Sequence, residues 1–313
     1  MQRLICRIMF LSLLLLLTVV LTNCQAATRA NVPLMTSMDD KSVQELTTAL
    51  SSAAPYKRLL AAVELGNRKD KSAIVPLTTL LSDSSQQVRL AAGQALLNLG
   101  DRSGIETIKR LLSGGDVETA THAAGVLAMN GDYSGIEIAK SHLNDKSLMV
   151  RDYALDAVAA SNDDDLAYSA LQAGLKDSDQ FIRFKAILRL GKRSNRRSIE
   201  LLAPLMSSSD ATVRRPAVRS IAETRLWDAL PLLIKALLDS DSVVRYTAAM
   251  WLNQLTGQDK PTAPFIGNGG MDKAAAVAQE WRAWWSANKQ NYPPDRKLKA
   301  PEPPPAWIIP AIQ

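Results

Sequence analysis

The sequence predicts an all-α fold, an α-α superhelix of about six to seven stacked helical hairpins followed by a C-terminal capping helix. First, a Val-Arg or Ile-Arg pair recurs along the chain at a spacing of about 31 residues, or twice that spacing where one copy is missing. The arginines of these pairs are Arg89, Arg151, Arg183, Arg214 and Arg245. Second, an alanine stands three residues after every repeat position, including the one where Ala120 replaces the arginine. Third, Ser or Asp stands four residues before it. Such a period is typical of solenoids, in which each unit is one supersecondary structure.

Each unit reads as a first helix, a short turn and a second helix. The Ser or Asp column supplies N-caps, which satisfy the unpaired amides at a helix start. Residues one before and three, seven and ten after the repeat position share a helical face, so we expect the second helix to bury that stripe. The alanine column indicates close helix–helix approach. Gly100, Gly131 and Asn162 stand where second helices should end, and we predict left-handed C-terminal caps there.

Six such units occupy residues 73–256. A degenerate seventh at 42–71 precedes them, with Pro55 at the expected position of the repeat arginine. The predicted solenoid is therefore residues 42–256. A single unit cannot bury its own apolar stripe, so stacked neighbours must cover it.

Residues 1–30 read as a targeting segment outside the fold. Arg3 and Arg7 precede an uncharged run of 15 residues, which is short for a membrane span and typical of a signal peptide. The residues up to Cys24 resemble a bacterial lipobox and make Cys24 the predicted lipid anchor. Ordinary signal-peptidase cleavage and an uncleaved anchor are the alternatives. We expect an exported protein, in the periplasm or attached to the outer membrane as a lipoprotein.

Residues 257–290 are predicted to form an irregular connection and a Trp-rich capping helix. We expect Trp281 and Trp285 to cover the last repeat by packing over Trp251, because a terminal repeat exposes an apolar face. An aromatic ligand site is the alternative. Residues 291–313 are rich in proline and predict an extended tail, whose Trp307 could dock onto the body or a partner.

The first full repeat carries a pattern at Ile74, Leu77, Leu81, Asp83, Val88, Arg89 and Ala92. This pattern resembles a HEAT repeat of the short, phycobilin-lyase-like kind, and the resemblance extends over residues 42–256. It implies a HEAT-like α-solenoid. HEAT repeats serve as scaffolds, adaptors and a few enzymes, so the resemblance implies little about activity.

The enzymes of this type are phycobilin lyases and metal-dependent deoxyhypusine hydroxylases. The hydroxylases carry repeated His-Glu pairs for a di-iron centre, whereas His122 precedes Ala123 and His142 precedes Leu143 here. Zinc or iron sites need three or more ligands, so we predict no metal, no cofactor and no enzyme activity. The acidic run at 163–165 is interpreted as a solvated loop rather than a calcium site. The only cysteines lie in the first 24 residues, which excludes a disulfide scaffold or a cysteine nucleophile in the body.

An aspartate stands six residues before most repeat arginines. We interpret these pairs as structural, tying the turn to the second helix or linking neighbouring units as a ladder. Where Ala120 replaces the arginine, Gly114 replaces the acid. The pairs are Asp83 with Arg89, Asp145 with Arg151, Asp177 with Arg183, and Asp239 with Arg245.

The second helices of HEAT-like solenoids line the concave surface. Residues one and five after the repeat position lie one helical turn apart and off the buried stripe. In successive units they change from acidic through apolar to basic, and exposed Phe, Tyr, Met and Arg favour interfaces. The predicted partner-binding residues are Asp152, Asp156, Phe184, Leu188, Arg215, Arg219, Tyr246 and Met250.

The chain has 313 residues, with 37 Lys and Arg against 31 Asp and Glu, a net charge of +6. This balance is modestly basic, and aromatic residues do not interleave with the basic run, so nucleic acid is disfavoured as a partner. Residues 181–225 hold eleven basic residues. We interpret them first as a solvated face, part of which complements the acidic block at 143–180. The alternative is an anionic partner, such as an acidic protein patch, lipid headgroups or a polymer.

The function that these features favour is an exported HEAT-repeat scaffold that binds a protein partner on its concave face without catalysis. A HEAT-type enzyme or enzyme accessory is one alternative. A lipid-anchored envelope structural protein, acting through the membrane anchor and the proline-rich tail, is the other.

Overall fold

The computed structural model describes residues 41–266, 271–291 and 296–298. Within these ranges the chain forms fifteen α-helices, and its extended structure is one antiparallel bridge between Leu226 and Lys297. The predicted all-α superhelix is confirmed. The predicted lipid anchor Cys24 and Trp307 of the tail lie outside the described residues.

Fourteen helices form seven consecutive hairpins, numbered here as units 1 to 7. In chain order the hairpins are α1 (Val43–Ala49) and α2 (Pro55–Arg68), α3 (Ile74–Thr79) and α4 (Gln86–Asn98), α5 (Ile105–Gly114) and α6 (Val117–Met129), α7 (Ile136–Ser141) and α8 (Leu148–Ala159), α9 (Asp164–Gly174) and α10 (Gln180–Arg193), α11 (Arg196–Leu202) and α12 (Ala211–Glu223), and α13 (Leu230–Ala236) and α14 (Ser242–Thr256). The last helix, α15 (Met271–Asn288), follows unit 7.

Side chains cap the starts of the second helices as predicted. In each of units 2 to 7 the predicted Ser or Asp accepts a hydrogen bond from a backbone amide of the first helical turn. These bonds satisfy donors that would otherwise lack a partner. The capping residues are Ser85, Asp116, Ser147, Asp179, Asp210 and Asp241.

The predicted C-terminal caps are only partly correct. Gly100 and Gly131 both have φ of 81°, in the left-handed region. Asn162 is not left-handed, so that prediction is wrong; there the Ser161 hydroxyl accepts the amide of Asp163 instead. Residues with side chains occupy the equivalent left-handed position in other units, namely Lys69, Ser194 and Arg225.

The core lies between the layer of first helices and the layer of second helices. All six predicted alanines are fully buried, which confirms that the column faces inward; they are Ala92, Ala123, Ala154, Ala186, Ala217 and Ala248. The residues twelve before the repeat position are also fully buried, in the first helices; they are Leu77, Ile108, Ala139, Leu171, Leu202 and Leu233. Each unit therefore adds one more layer to a shared apolar core.

Second helices of consecutive units pack on each other most closely at four boundaries, between units 1 and 2, 3 and 4, 5 and 6, and 6 and 7. At the other two boundaries the second helix packs mainly on the first helix of the next unit. At Gly191 in α10, an added Cβ would lie 2.9 Å from the carbonyl oxygen of Ser220 in α12. Only a residue without a side chain fits at that distance. Because the second helices are spaced more tightly than the first, we take their layer as the inner, concave side of the curved stack.

Unit 1 contains a repeat arginine that the sequence analysis misplaced. The prediction that Pro55 occupies that position is wrong. Arg58 lies 31 residues before Arg89 and makes the contacts of a repeat arginine: its Nη1 donates to the carbonyl of Ser52 at 2.7 Å, and its Nε donates to Asp83 at 2.6 Å. Pro55 is instead the first residue of α2, where its missing amide costs nothing.

Helix α15 covers the end of the stack by packing on α13. Trp281 is fully buried. The rings of Trp284 and Trp285 lie 6.0 Å and 4.9 Å from the ring of Trp227, which precedes α13. The expected partner was Trp251, which is buried in the same core; the ring contacts are to Trp227 instead.

The chain then returns to the boundary between units 6 and 7. Trp227 donates its amide to the carbonyl of Arg296 at 3.0 Å, and Leu298 donates to that of Arg225 at 2.7 Å. This short pairing holds the last described segment against the solenoid. Within the described ranges, no helix is long and apolar enough to cross a membrane.

Candidate functional site: the second-helix face

The open stripe of unit 4 contains the residues two before and two, five and nine after the repeat arginine. They are Met149, Tyr153 and Asp156 in α8 and Ala160 directly after it, all exposed or half-buried. The prediction shares the position five after the arginine, but it used the position directly after the arginine instead of the one two after.

The position directly after the repeat residue is buried in units 2 to 4. Leu90, Thr121 and Asp152 are 3%, 0% and 8% exposed. Leu90 packs in one core cluster with Ala123 of unit 3, so this position faces the neighbouring unit. The prediction that it lines the open surface is therefore wrong in these units, including for Asp152.

The predicted residues of units 5 to 7 do reach the surface. Phe184, Leu188, Tyr246 and Met250 are half-buried, and Arg215 and Arg219 are exposed. Both arginines are paired: Arg215 Nη2 with Asp241 at 2.7 Å, and Arg219 Nε with Glu223 at 2.8 Å.

The carboxylates of Asp152 and Asp156 are already paired within the chain. The ammonium group of Lys185 in α10 contacts both, with an Nζ–Oδ2 distance of 2.7 Å to Asp156. Arg189 donates from Nε to Asp156 at 3.0 Å. Two negative and two positive side chains thus form a neutral link between units 4 and 5, rather than an acidic patch open to a partner.

An aromatic stack adjoins this ionic link. His122 in α6 lies on Tyr153 in α8, with ring centroids 4.0 Å apart and planes 1° from parallel. Burial lowers the pKa of His122 to about 4, against the opposing effect of Asp156. Burial also raises the pKa of the Tyr153 hydroxyl. The sequence analysis missed this pair, although both residues stand two after the repeat position.

Most basic side chains of residues 181–225 pair with carboxylates of the chain. This favours the interpretation that the basic block complements acids of neighbouring units. Asp164 and Asp165 of the acidic run, though exposed, pair with Arg193 and Arg197, whose guanidinium groups lie 4.9 Å and 4.5 Å from the ring centre of Tyr168. The paired basic residues are Lys185, Arg189, Arg193, Arg196, Arg197, Arg214, Arg215 and Arg219.

Each repeat arginine ties the second helix to the turn of its own unit. Arg151 donates from Nη1 to the carbonyl oxygens of Asp145 and Lys146, at 2.9 Å and 3.3 Å. The Asp145 carboxylate accepts the amide of Ser147 at 2.8 Å instead of pairing with the arginine. The four predicted pairs are thus joined through the aspartate carbonyl; they are Asp83 with Arg89, Asp145 with Arg151, Asp177 with Arg183, and Asp239 with Arg245.

The same arginine also reaches the aspartate of the next unit. The Nε and Nη2 atoms of Arg151 donate to the two carboxylate oxygens of Asp177 at 2.9 Å and 3.1 Å. This bidentate arrangement is the strong form of an ion pair. Each such pair is one rung of a ladder along the turns. The rungs are Arg58–Asp83, Arg151–Asp177 and Arg214–Asp239.

Large apolar side chains are exposed where the second helices begin. We call them the turn-edge row, because these helix starts lie beside the turns at one edge of the stack. Two members of the row, Val117 and Leu148, directly follow the N-cap residue, and the other four stand two residues after it. Apolar residues in the first helical turn were a sequence signal for this row. The row consists of Tyr56, Val117, Leu148, Met149, Phe181 and Val243, each between 36% and 48% exposed.

A crevice of about 640 Å³ opens between units 4 and 5 on the same edge. Leu155 and Ile182 give it an apolar floor, and the Arg151–Asp177 rung forms part of its wall. Residues of the turn that follows α7, including Asn144 and Lys146, form another part of its wall. Its volume is in the range of ligand pockets.

The two histidines have different surroundings. His142 Nδ1 lies 3.2 Å from Asp145 Oδ2, whereas His122 stacks on Tyr153. In the part of the chain that the structure describes, no group of three or more His, Cys, Asp or Glu side chains could hold a metal ion.

The family assignment agrees with this geometry. The profile described as HEAT repeats matches residues 43–128, 136–217 and 199–265. These matches cover more than half of the chain, and the protein belongs to the HEAT-repeat family. Comparison with curated proteins finds no match.

Several solved structures resemble the chain. Human deoxyhypusine hydroxylase in complex with glycerol is 21% identical, with a TM-score of 0.35 over 69% of this chain and 85% of that one. The complex of CpcE and CpcF of phycocyanin lyase from Nostoc sp. PCC7120 is 16% identical, with a TM-score of 0.44 over 81% and 100%. An engineered protein is 21% identical, with a TM-score of 0.44 over 79% and 80%. HEAT proteins named as enzymes are thus among the similar structures.

Proposed function

We propose that the protein is an exported HEAT-repeat scaffold that binds a protein partner through its second-helix face, with no catalytic step of its own. The observation that carries the proposal is the turn-edge row. Its six large apolar side chains lie in units 1, 3, 4, 5 and 7, and four of them follow one another in units 3 to 5. Exposed apolar surface of this kind marks interaction sites. The same helices hold the half-buried Phe184, Leu188, Tyr246 and Met250.

Charged side chains at this face add selectivity. The side chains of Arg215 and Arg219 are 46% and 48% exposed although each is paired. Such exposed pairs contribute little to stability, so an acidic patch on a partner can replace the internal carboxylate. Charges at an interface rim mainly raise the association rate and the selectivity.

Site-specific crosslinking in the native host tests the assignment of this face. A photoreactive amino acid replaces Phe181 or Met149, and Val75, which is 76% exposed on first helix α3, is the matched control. We expect a discrete crosslinked adduct from both second-helix positions and none from Val75. Equal adducts at Val75, or none at Phe181 and Met149, would contradict the proposal.

A second test uses truncated contacts. We expect the double variant Phe184→Ala, Arg219→Glu to capture the crosslinked partner about tenfold less, because aromatic and arginine contacts concentrate interface energy. The Val75→Ala variant is the control. Unchanged capture by the double variant would remove the concave-face assignment.

The export part of the proposal is tested by the intact mass of the processed protein. A lipidated Cys24 at the new N-terminus supports the anchor, and an unlipidated N-terminus after residue 25 supports ordinary cleavage. A chain that still begins at Met1 in the cytoplasm would contradict export. Stoichiometric iron or zinc in the purified protein would favour the enzyme alternative.

A further inference from the structure

The arginine ladder lacks a carboxylate between units 5 and 6. Arg183 donates from Nη1 to the two carbonyl oxygens of its own turn, both at 2.7 Å, as the other repeat arginines do. Ser208 stands where units 2, 5 and 7 carry the aspartate of a rung. Among the described residues Arg89 also forms no ion pair, but there α5 continues through Gly114, so the turn has a different shape.

Serine at this position keeps only half of the aspartate's role. The Ser208 hydroxyl accepts the amide of Asp210 at 3.2 Å, as the Asp177 carboxylate accepts the amide two residues later at 2.8 Å. The second half of the role, binding the arginine of the preceding unit, is missing. Within the described residues, no carboxylate forms an ion pair with Arg183, whose Nε and Nη2 correspond to the atoms with which Arg151 binds Asp177.

We propose that Arg183 and the gap beside Ser208 form a receptor for a carboxylate supplied by an Asp or Glu side chain of the protein partner. This inference rests on the proposed function. The guanidinium is half-buried and oriented by two carbonyls, so little of its freedom remains to be lost on binding. In the three rungs of this fold, the Nε and Nη2 atoms of the arginine, which we call its fork, both donate to one carboxylate.

The local charge favours a carboxylate over a phosphate. The carboxylate of Asp210 lies close enough to interact with Arg183, and it repels a dianion more strongly than a monoanion. Phe181, which is 48% exposed, lies in the first turn of the same helix and offers the partner an apolar contact. The partner segment that fits carries an acidic residue and an apolar one.

Acetate titration of the full-length protein tests the receptor directly. The probe replaces chloride at constant ionic strength, and the Nε–H resonances of the arginines are followed by NMR, with Arg183 assigned from the Arg183→Lys variant. We expect a saturable shift of the Arg183 resonance and a shift at least fivefold smaller for Arg151, whose fork is filled. The absence of an Arg183 response, or a larger response to inorganic phosphate than to acetate, would overturn the proposal.

Two variants of Ser208 complete the test. Ser208→Asp supplies the missing carboxylate and should abolish the acetate response, whereas the neutral Ser208→Asn of similar size should keep it. We expect the crosslink from Phe181 to the partner to weaken severalfold in Ser208→Asp and to persist in Ser208→Asn. A full crosslink yield in Ser208→Asp would overturn this inference and leave the scaffold function standing. The absence of any adduct from position 181 while Ser208 is unchanged would contradict the scaffold function itself.

Discussion

A left-handed residue follows the second helix of units 1, 2, 3, 5 and 6, each time eleven residues after the repeat position. Gly100 and Gly131 occupy this left-handed position with φ of 81°, and Lys69, Ser194 and Arg225 occupy it with φ of 57°, 49° and 55°. An L-residue with a side chain is strained there by about 1 kcal/mol, whereas glycine is not. The sequence revealed only the glycines, because a lysine or serine carries no mark of its backbone conformation.

Substitutions at this left-handed position should change the free energy of unfolding in opposite directions in different units. Gly100→Ala should lower the free energy of unfolding by about 1 kcal/mol. An added Cβ there meets nothing within 4 Å, so the cost is conformational. Lys69→Gly should raise the free energy by a few tenths to about 1 kcal/mol. Urea unfolding of both variants checks this, and equal signs would show that strain does not govern the position.

His122 makes stability depend on pH. Its pKa falls from 6.5 to about 4 in the folded protein, so the folded state binds fewer protons than the unfolded state between these values. The contribution is fully present above pH 6.5 and is lost as the pH falls towards 4, a loss on the order of 3 kcal/mol. In His122→Phe the difference in stability between pH 7 and pH 4 should shrink by that amount. An unchanged pH profile would show that the ring is open to protonation.

At the scale of elements, the ladder rungs hold consecutive second helices in register. The side chains of Arg151 and Asp177 are 12% and 11% exposed, so losing one partner leaves a poorly solvated charge. A double-mutant cycle with Arg151→Ala and Asp177→Ala should give a coupling energy of about 1 to 3 kcal/mol. The same cycle on Arg183 and Ser208 is the control, and its coupling should be near zero.

Helix spacing should be equally sensitive. In Gly191→Ala the added Cβ would lie 2.9 Å from the Ser220 carbonyl oxygen, so α10 and α12 must separate, at a cost of about 1 to 3 kcal/mol. Gly114→Ala is the matched control, because nothing lies within 4 Å of its added Cβ. Thermal unfolding should show a lower Tm for the first variant only. A similar Tm in both would contradict the close approach.

At the scale of the whole molecule, the stack depends on its C-terminal cover. Trp281, Trp284 and Trp285 close the apolar end of unit 7 together with Trp227. A chain truncated after residue 257 exposes that end, and an uncapped terminal repeat loses stability and solubility. We expect a Tm lower by about 5 °C or more, or aggregation. A chain truncated after Leu298 is the control and should keep the wild-type Tm.

Charge is also balanced at this scale. The acids of units 4 and 5 pair with the basic residues that follow one unit later, as between Asp156 and Arg189. The sequence showed both blocks, but it left open whether they meet each other or a partner. Only their distances in the folded stack show that most of the basic charge is neutralised internally. Among the described residues, Arg183 is one of three basic side chains of this block that form no ion pair, together with Lys192 and Arg225.

The repeat, its helices, N-caps and buried alanines were readable from the sequence because they depend on local spacing and recur in every unit. One of the two positions predicted to be open is buried in units 2 to 4. The sequence also left open whether each arginine ties the turn of its own unit or links neighbouring units, and the structure shows that Arg151 does both. Both depend on how far each helix is rotated and displaced against its neighbour. The helical period predicts which residues share a face only to within about one residue. Packing between units decides which residue faces solvent and which aspartate an arginine contacts.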